Sequence, residues 1–333
     1  MLIAQRLIVM AMCCILPSAR TLTLVPSRAI SVFGHLRAAA HHLAEPAQHQ
    51  LQSSTATSLL EQLTNTRIPS SAIEADILAF VARPKVAPDG ELPLLVVLHE
   101  FFGLSEGVCS KAQLLADELC CVVVCPDCFR GVTTSFVPRA IWLALTTGQQ
   151  QVNNDLEDVL TWAKAQDDVD GDKVGIMGFC WGGGKAIRYT TECQPKAATC
   201  IYYGSPLIDS SALAALSAPV TAVYGCEDMQ FPQSLVNKFK EALEEAGVEH
   251  EVVSYYGVGH AFWKDVGQIE REEMPQTAAY RLMTTSLRNF YTGKESFAAK
   301  KRFLEFMLAE SGRGEVADES LSTETILSEE ENA

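Results

Sequence analysis

The segment Lys173–Gly184, KVGIMGFCWGGG, passes from a short, mostly apolar stretch through Gly178-Phe179-Cys180-Trp181-Gly182 into a glycine-rich helix start. It is the nucleophile-elbow pattern G-x-S-x-G with cysteine in the serine position. The glycines have a steric purpose. A sharp strand-to-helix turn lifts the nucleophile above a sheet, so the residues two before and two after it must lack bulk. The helix that follows presents its N-terminal N–H groups, whose partial positive charge favours a thiolate and an oxyanion. Cys180 is the candidate nucleophile. The bland alternative is a glycine-rich packing turn with no chemistry.

In chains with this elbow an acid and then a histidine follow the nucleophile. His250 and His260 are the histidines downstream of Cys180. His250 sits between Glu249 and Glu251 at the start of a strand and reads as a solvated loop histidine. His260 lies in Gly257-Val258-Gly259-His260-Ala261-Phe262, directly after an apolar stretch. A glycine-flanked loop at the C-terminal end of a strand is where open α/β sheets build their sites, so His260 is the better base. The acid should follow an earlier strand, and Gly225-Cys226-Glu227-Asp228 follows Val220–Tyr224. Either carboxylate could orient the imidazole and stabilise its charged form; the residues alone leave Glu227 and Asp228 open.

Leu94–Gly103, LLVVLHEFFG, supplies a further element. The backbone N–H of Phe101 is placed to donate to an oxyanion, and the residue after the nucleophile, Trp181, supplies the second N–H. His99-Glu100 has no second histidine four residues on, so the HExxH zinc motif is absent. Cys125-Pro126-Asp127-Cys128 is a CxxC without a second CxxC or a nearby histidine to complete a metal set. Its cysteines read as buried hydrophobes. No metal or organic cofactor is called for.

The elements that must hold these residues alternate. Strands are expected at Ala75–Ala82, Leu94–Leu98, Cys121–Cys125, Lys173–Phe179, Cys200–Tyr203, Val220–Tyr224 and Val252–Tyr256. Several are continuous apolar runs, as in strands buried on both faces. Helical spacing falls at Val108–Leu119, Asn154–Ala165, Gly182–Thr191, Pro232–Ala246 and Thr277–Tyr291. Strands alternating with helices imply a mainly parallel sheet covered on both faces.

Composition limits the partners. A formal charge of −15 argues against general binding to nucleic acid or anionic membranes. The 48% hydrophobic content implies a substantial core, so the 11 cysteines, an odd number, are not a disulfide framework. The first 44 residues contain no Asp or Glu and carry Arg6, Arg20, Arg28 and Arg37 around an apolar run, Leu7–Leu16, too short to span a bilayer. They read as a leader for an organelle (plastid or mitochondrion) or the secretory route; the alternative is an unprocessed extension on a cytoplasmic protein. No stable membrane insertion of the mature protein is expected. The organisation is a leader and linker over 1–70, one catalytic domain over 71–293 and an acidic, solvated tail over 294–333.

HEFFG, CPDCFRG, GFCWGG with the later YYGSP, GCEDMQFP and GVGHAF together resemble the motifs of dienelactone hydrolases (carboxymethylenebutenolidases), and the resemblance covers residues 71–293. It implies an α/β-hydrolase fold, with Cys180, Asp228 and His260 on the family's nucleophile, acid and base, and so favours Asp228 over Glu227. Glu100 falls on a glutamate that in the family helps generate the thiolate when substrate arrives. Two family arginines bind the substrate's carboxylate. One corresponds to Arg130, displaced by one position; the other falls on Lys264, which keeps the charge without the planar fork. Trp181 is bulkier than the usual aliphatic residue. The resemblance implies hydrolysis of a small-molecule ester or lactone, an anionic one included, through a thioester at Cys180. Its rivals are a broad carboxylesterase or thioesterase with the same residues and a catalytically silent binding module on this fold.

Overall fold

A computed structural model describes residues 60–294. The leader, most of the linker and the acidic tail lie outside the described residues.

Strand β3 (Leu92–Leu98) shows how the core is made. Successive side chains alternate between faces. Leu95 and Val97 join one apolar cluster with β4 (Val122–Pro126), helix α1 (Glu106–Leu119) and helix α8 (Gln276–Thr292). Leu94, Val96 and Leu98 join the cluster on the opposite face, with α3 (Gln149–Lys164) and α4 (Trp181–Glu192). Both faces are covered, so every residue of β3 after Pro93 is buried and the strand can be apolar throughout.

The sheet has eight strands in the order β1-β2-β4-β3-β5-β6-β7-β8. The remaining strands are β1 (Thr66–Ile68), β2 (Ile77–Ala82), β5 (Val169–Phe179), β6 (Ala198–Tyr202), β7 (Val220–Gly225) and β8 (His250–Tyr255). β1 and β2 pair antiparallel at one edge, and from β4 to β8 all pairing is parallel. Helix α6 (Gln233–Glu245) precedes β8, and the chain turns at Gly247 with φ 68°. Two helices have only four residues, α5 (Ser210–Leu213) and α7 (Gly267–Glu270). Among the described residues no helix is long and apolar enough to cross a membrane.

The expected strands and helices are all present; the two four-residue helices are additional, α3 starts five residues before the expected Asn154, and three further differences have a local cause. β1 lies in the stretch read as linker; Ile68 is buried and Thr66–Ile68 pairs with Ile77–Ala79. Three residues are too few for a period to register. β5 starts four residues earlier than its apolar run. Asp170-Gly171-Asp172 interrupts the pattern, and its pairing with β3 shifts register between Pro93 and Leu94. Helix α2 (Val137–Thr146) went unforeseen, because Phe136 and Leu145 are exposed and blur its apolar face. Pro138 is tolerated there because the first turn has no use for its N–H.

Candidate active site

Cys180 sits between the end of β5 and the start of α4 with φ 52° and ψ −111°. This is a sparsely populated conformation for a residue with a side chain. Backbone contacts hold it: Cys180 N–H donates to Tyr202 C=O (2.9 Å), and Gly184 N–H donates to Cys180 C=O (3.3 Å). The surrounding glycines are a close-packing requirement. A Cβ on Gly178 would collide with the Gly182 carbonyl, and one on Gly182 would stand 2.5 Å from the carbonyl oxygens of Leu98 and His99. The start of α4 therefore lies directly against the end of β3.

His260 is brought to the turn from the loop after β8. Its Nε2 lies 3.0 Å from Cys180 Sγ and its Nδ1 2.8 Å from Asp228 Oδ2. The other carboxylate oxygen of Asp228 accepts the N–H groups of Gln230 (2.7 Å) and Phe231 (3.1 Å). Asp228 is buried while Glu227 faces solvent, which is how the structure distributes the two candidate acids. The rings of Tyr203 and Phe231 flank the imidazole at 5.3 and 5.7 Å. Burial lowers the imidazole's affinity for a proton. The neighbouring Cys180 sulfur, when anionic, and the Asp228 carboxylate outweigh that and raise His260 to about 10. A protonated His260 is the charge state these neighbours favour.

The Glu100 carboxylate makes no hydrogen bond to Cys180 or His260. Its Oε1 accepts from Tyr203 O–H (3.4 Å), which also donates to Trp263 C=O (3.3 Å). Lys111, buried on α1, donates to the same Trp263 carbonyl (2.8 Å) and sits over the Phe179 ring. Burial lowers the Lys111 pKa, and the nearby Glu100 charge works against that. Sequence reading passed over both Tyr203 and Lys111. Tyr203 could have been noticed through YYGSP; Lys111 lies in an ordinary helical pattern with nothing to mark it.

The bulk of Trp181 is absorbed on the far face of the sheet. Its ring stacks on His99 (5.6 Å, 11°), contacts Phe129, and donates through Nε1 to Ala144 C=O (3.1 Å). Among the described residues neither Trp181 N–H nor Phe101 N–H has a hydrogen-bond acceptor, so both are free to receive one from a bound molecule. The CxxC cysteines are fully buried free thiols, and burial pushes Cys125 and Cys128 well above the usual thiol range. What CPDC brings toward the site is backbone: Cys128 N–H donates to His99 Nε2.

The two cations expected at a substrate carboxylate are placed differently from one another. Arg130 grips the buried Asp155 through Nε and an Nη, so its charge is already matched. Lys264 is exposed.

A strand order of 1-2-4-3-5-6-7-8 with a strained residue at the β5–α4 turn defines an α/β-hydrolase. Comparison with known proteins gives the family. The model of the "Dienelactone hydrolase family" matches residues 77–291, and the chain belongs to that family. It is accordingly a hydrolase of the lactone and ester class. The "Putative carboxymethylenebutenolidase" of Salmonella typhimurium is 33% identical over 213 residues, covering 60% of this chain and 77% of that protein. A protein of the same description from Methylorubrum extorquens is 30% identical over 220 residues, covering 62% and 75%. The crystal structure of a "Putative Dienelactone Hydrolase" from Klebsiella pneumoniae superposes with a TM-score of 0.59 at 28% identity, covering 67% of this chain and 96% of that one.

Proposed function

We propose that the protein hydrolyses small-molecule esters or lactones with Cys180 as nucleophile, through a thioester. The observation that carries this is the continuous line from Cys180 Sγ to His260 Nε2 (3.0 Å) and from His260 Nδ1 to Asp228 Oδ2 (2.8 Å).

The Cys180 thiolate adds to the substrate carbonyl carbon, and the carbonyl's π pair becomes an oxyanion to which the Phe101 and Trp181 N–H groups donate. Collapse re-forms the carbonyl and expels the alkoxy or enol oxygen, which takes the proton from His260 Nε2. The sulfur is now a neutral thioester. His260 has lost its anionic neighbour, so burial favours its neutral form and it can take a proton from water. The resulting hydroxide attacks the thioester, and collapse returns the electron pair to sulfur. The thiolate–imidazolium pair is restored. Asp228 keeps the Nδ1 proton in place throughout. The role of Glu100 in generating the thiolate belongs to the same proposal; its Oε1 accepts from the O–H of Tyr203, whose ring flanks His260.

A broader carboxylesterase reading has one observation in its favour. Arg130 is committed to Asp155, so a two-cation clamp for an anionic lactone is incomplete, and neutral esters suit the site at least as well. The test is a panel of p-nitrophenyl acetate, neutral lactones and an acidic dienelactone, run on the wild type and Cys180→Ala. Loss of all hydrolysis in Cys180→Ala, by on the order of 10³-fold or more, is expected; undiminished turnover would refute the nucleophile. A silent binding module predicts no wild-type turnover at all. The acid-free first 44 residues are proposed as an organelle or secretory address; a fluorescent protein fused after residue 50 that stays cytoplasmic would rule this out.

A further inference from the structure

His99 stands at the end of β3, fully buried, one residue before Glu100. Its Nε2 lies 3.1 Å from the N–H of Cys128. A backbone N–H can only donate, so Nε2 must offer a lone pair and the ring proton must be on Nδ1. Nδ1 lies 2.7 Å from the Glu100 carbonyl oxygen and therefore donates to it. Gly103 N–H donates to the same oxygen at 3.1 Å.

The Glu100 C=O and the Phe101 N–H belong to one peptide unit. That unit is planar and trans, so the two bonds point in opposite directions. Holding the carbonyl toward His99 sets the N–H on the other side. The ring cannot turn freely, because it is stacked on Trp181 and meets Phe129 edge-on at 4.8 Å. Trp181 carries the second free N–H, so one aromatic stack joins the two segments that supply the donors.

We propose that His99 is a positioning residue for the oxyanion site: its Nδ1–H anchors the Glu100–Phe101 peptide and keeps the Phe101 N–H aimed at the charge that develops on substrate. This rests on the reading of Cys180 as nucleophile. Without the anchor only the Gly103 N–H holds the Glu100 carbonyl, and a peptide that rotated would present a carbonyl lone pair where the donor is needed. Asparagine can place its Nδ2–H where the histidine Nδ1–H stands; phenylalanine fills the space and donates nothing.

Two reactions of the same sulfur separate this role from a general disturbance. Acylation by p-nitrophenyl acetate passes through an oxyanion, whereas alkylation by iodoacetamide is a direct displacement that forms none. Full-length His99→Phe should show burst-phase acylation slowed about 10- to 100-fold, with the alkylation rate unchanged. His99→Asn should acylate at the wild-type rate. Wild-type acylation in His99→Phe, or equal slowing of acylation and alkylation, overturns the proposal. Should His99→Phe fail to fold, slow acylation with normal alkylation in His99→Asn overturns it alone. Cys180→Ala run alongside keeps the two claims distinct: an inactive Cys180→Ala with a fast His99→Phe sinks only the positioning role, while an active Cys180→Ala sinks both.

Discussion

The backbone N–H of Glu227 donates to the carbonyl of Val258 at 3.0 Å. This bond joins the loop that carries Asp228 to the loop that carries His260, so acid and base are held as one piece. Gly225 makes the approach possible. A Cβ there would collide with the Val258 carbonyl and stand 2.6 Å from that of Gly259. Gly225→Ala should push the loops apart, with a stability loss of about 1–3 kcal/mol and a larger fall in kcat than that loss explains. Thermal melts and turnover measured on one preparation check this.

Asp228→Asn should preserve the loop, because an amide oxygen can still accept from Gln230 and Phe231. Its NH₂ would then face His260 Nδ1, which must accept and so places the ring proton on Nε2, toward Cys180. With the tautomer reversed, kcat should fall by about 10²- to 10⁴-fold at nearly unchanged melting temperature. A kcat within the wild-type range would show that Asp228 is not the orienting acid.

His260 should hold its proton through neutral pH and titrate near the value of about 10 to which its anionic neighbours raise it. The sign follows from the cause. Cys180→Ala removes one of those neighbours, so the imidazole pKa must move down, by about 1–3 units. Ring resonances followed through a pH titration report both values. The same downward step is the one deacylation needs, since thioester formation also removes the thiolate.

His99 runs the other way. Burial holds it down to about 4, below the ordinary histidine value. The unfolded chain therefore takes up this proton first as pH falls from about 6.5 toward 4, and stability is lost over that window. Compared with His99→Phe, the wild type should lose roughly 3 kcal/mol between these limits. Asp127, 3.9 Å from His99 Nε2, is raised by burial to about 6 and has the opposite slope. It is present in both proteins, so the difference between their urea-unfolding curves isolates His99. Parallel curves would contradict a buried neutral imidazole.

Arg130→Ala should cost about 3 kcal/mol of stability, because it leaves the fully buried Asp155 carboxylate unpaired. Below the new melting temperature KM for neutral esters should not change. A selective rise in KM for acidic lactones would instead give Arg130 a part in binding substrate.

Much of this architecture is written locally. Strands buried on both faces need unbroken apolar runs, and Leu94–Leu98, Cys121–Cys125 and Val220–Tyr224 are such runs. A turn as tight as that at Cys180 needs glycine two residues to either side, and this is a steric demand of the immediate chain. β1 and α2 escaped because one is shorter than its own period and the other leaves apolar residues in solvent.

The elements, their alternation and the turn that presents Cys180 are legible in the chain alone, since periodicity and backbone sterics act over a few residues. The chain also restricted the base to one of two histidines. Folding alone buries Asp228 beside His260 while Glu227 faces water, pairs Arg130 with Asp155, and brings His99 past its neighbour to Cys128. Those relationships join segments 25 or more residues apart. Such distances are set by how helices and strands pack, and no local pattern of residues encodes them.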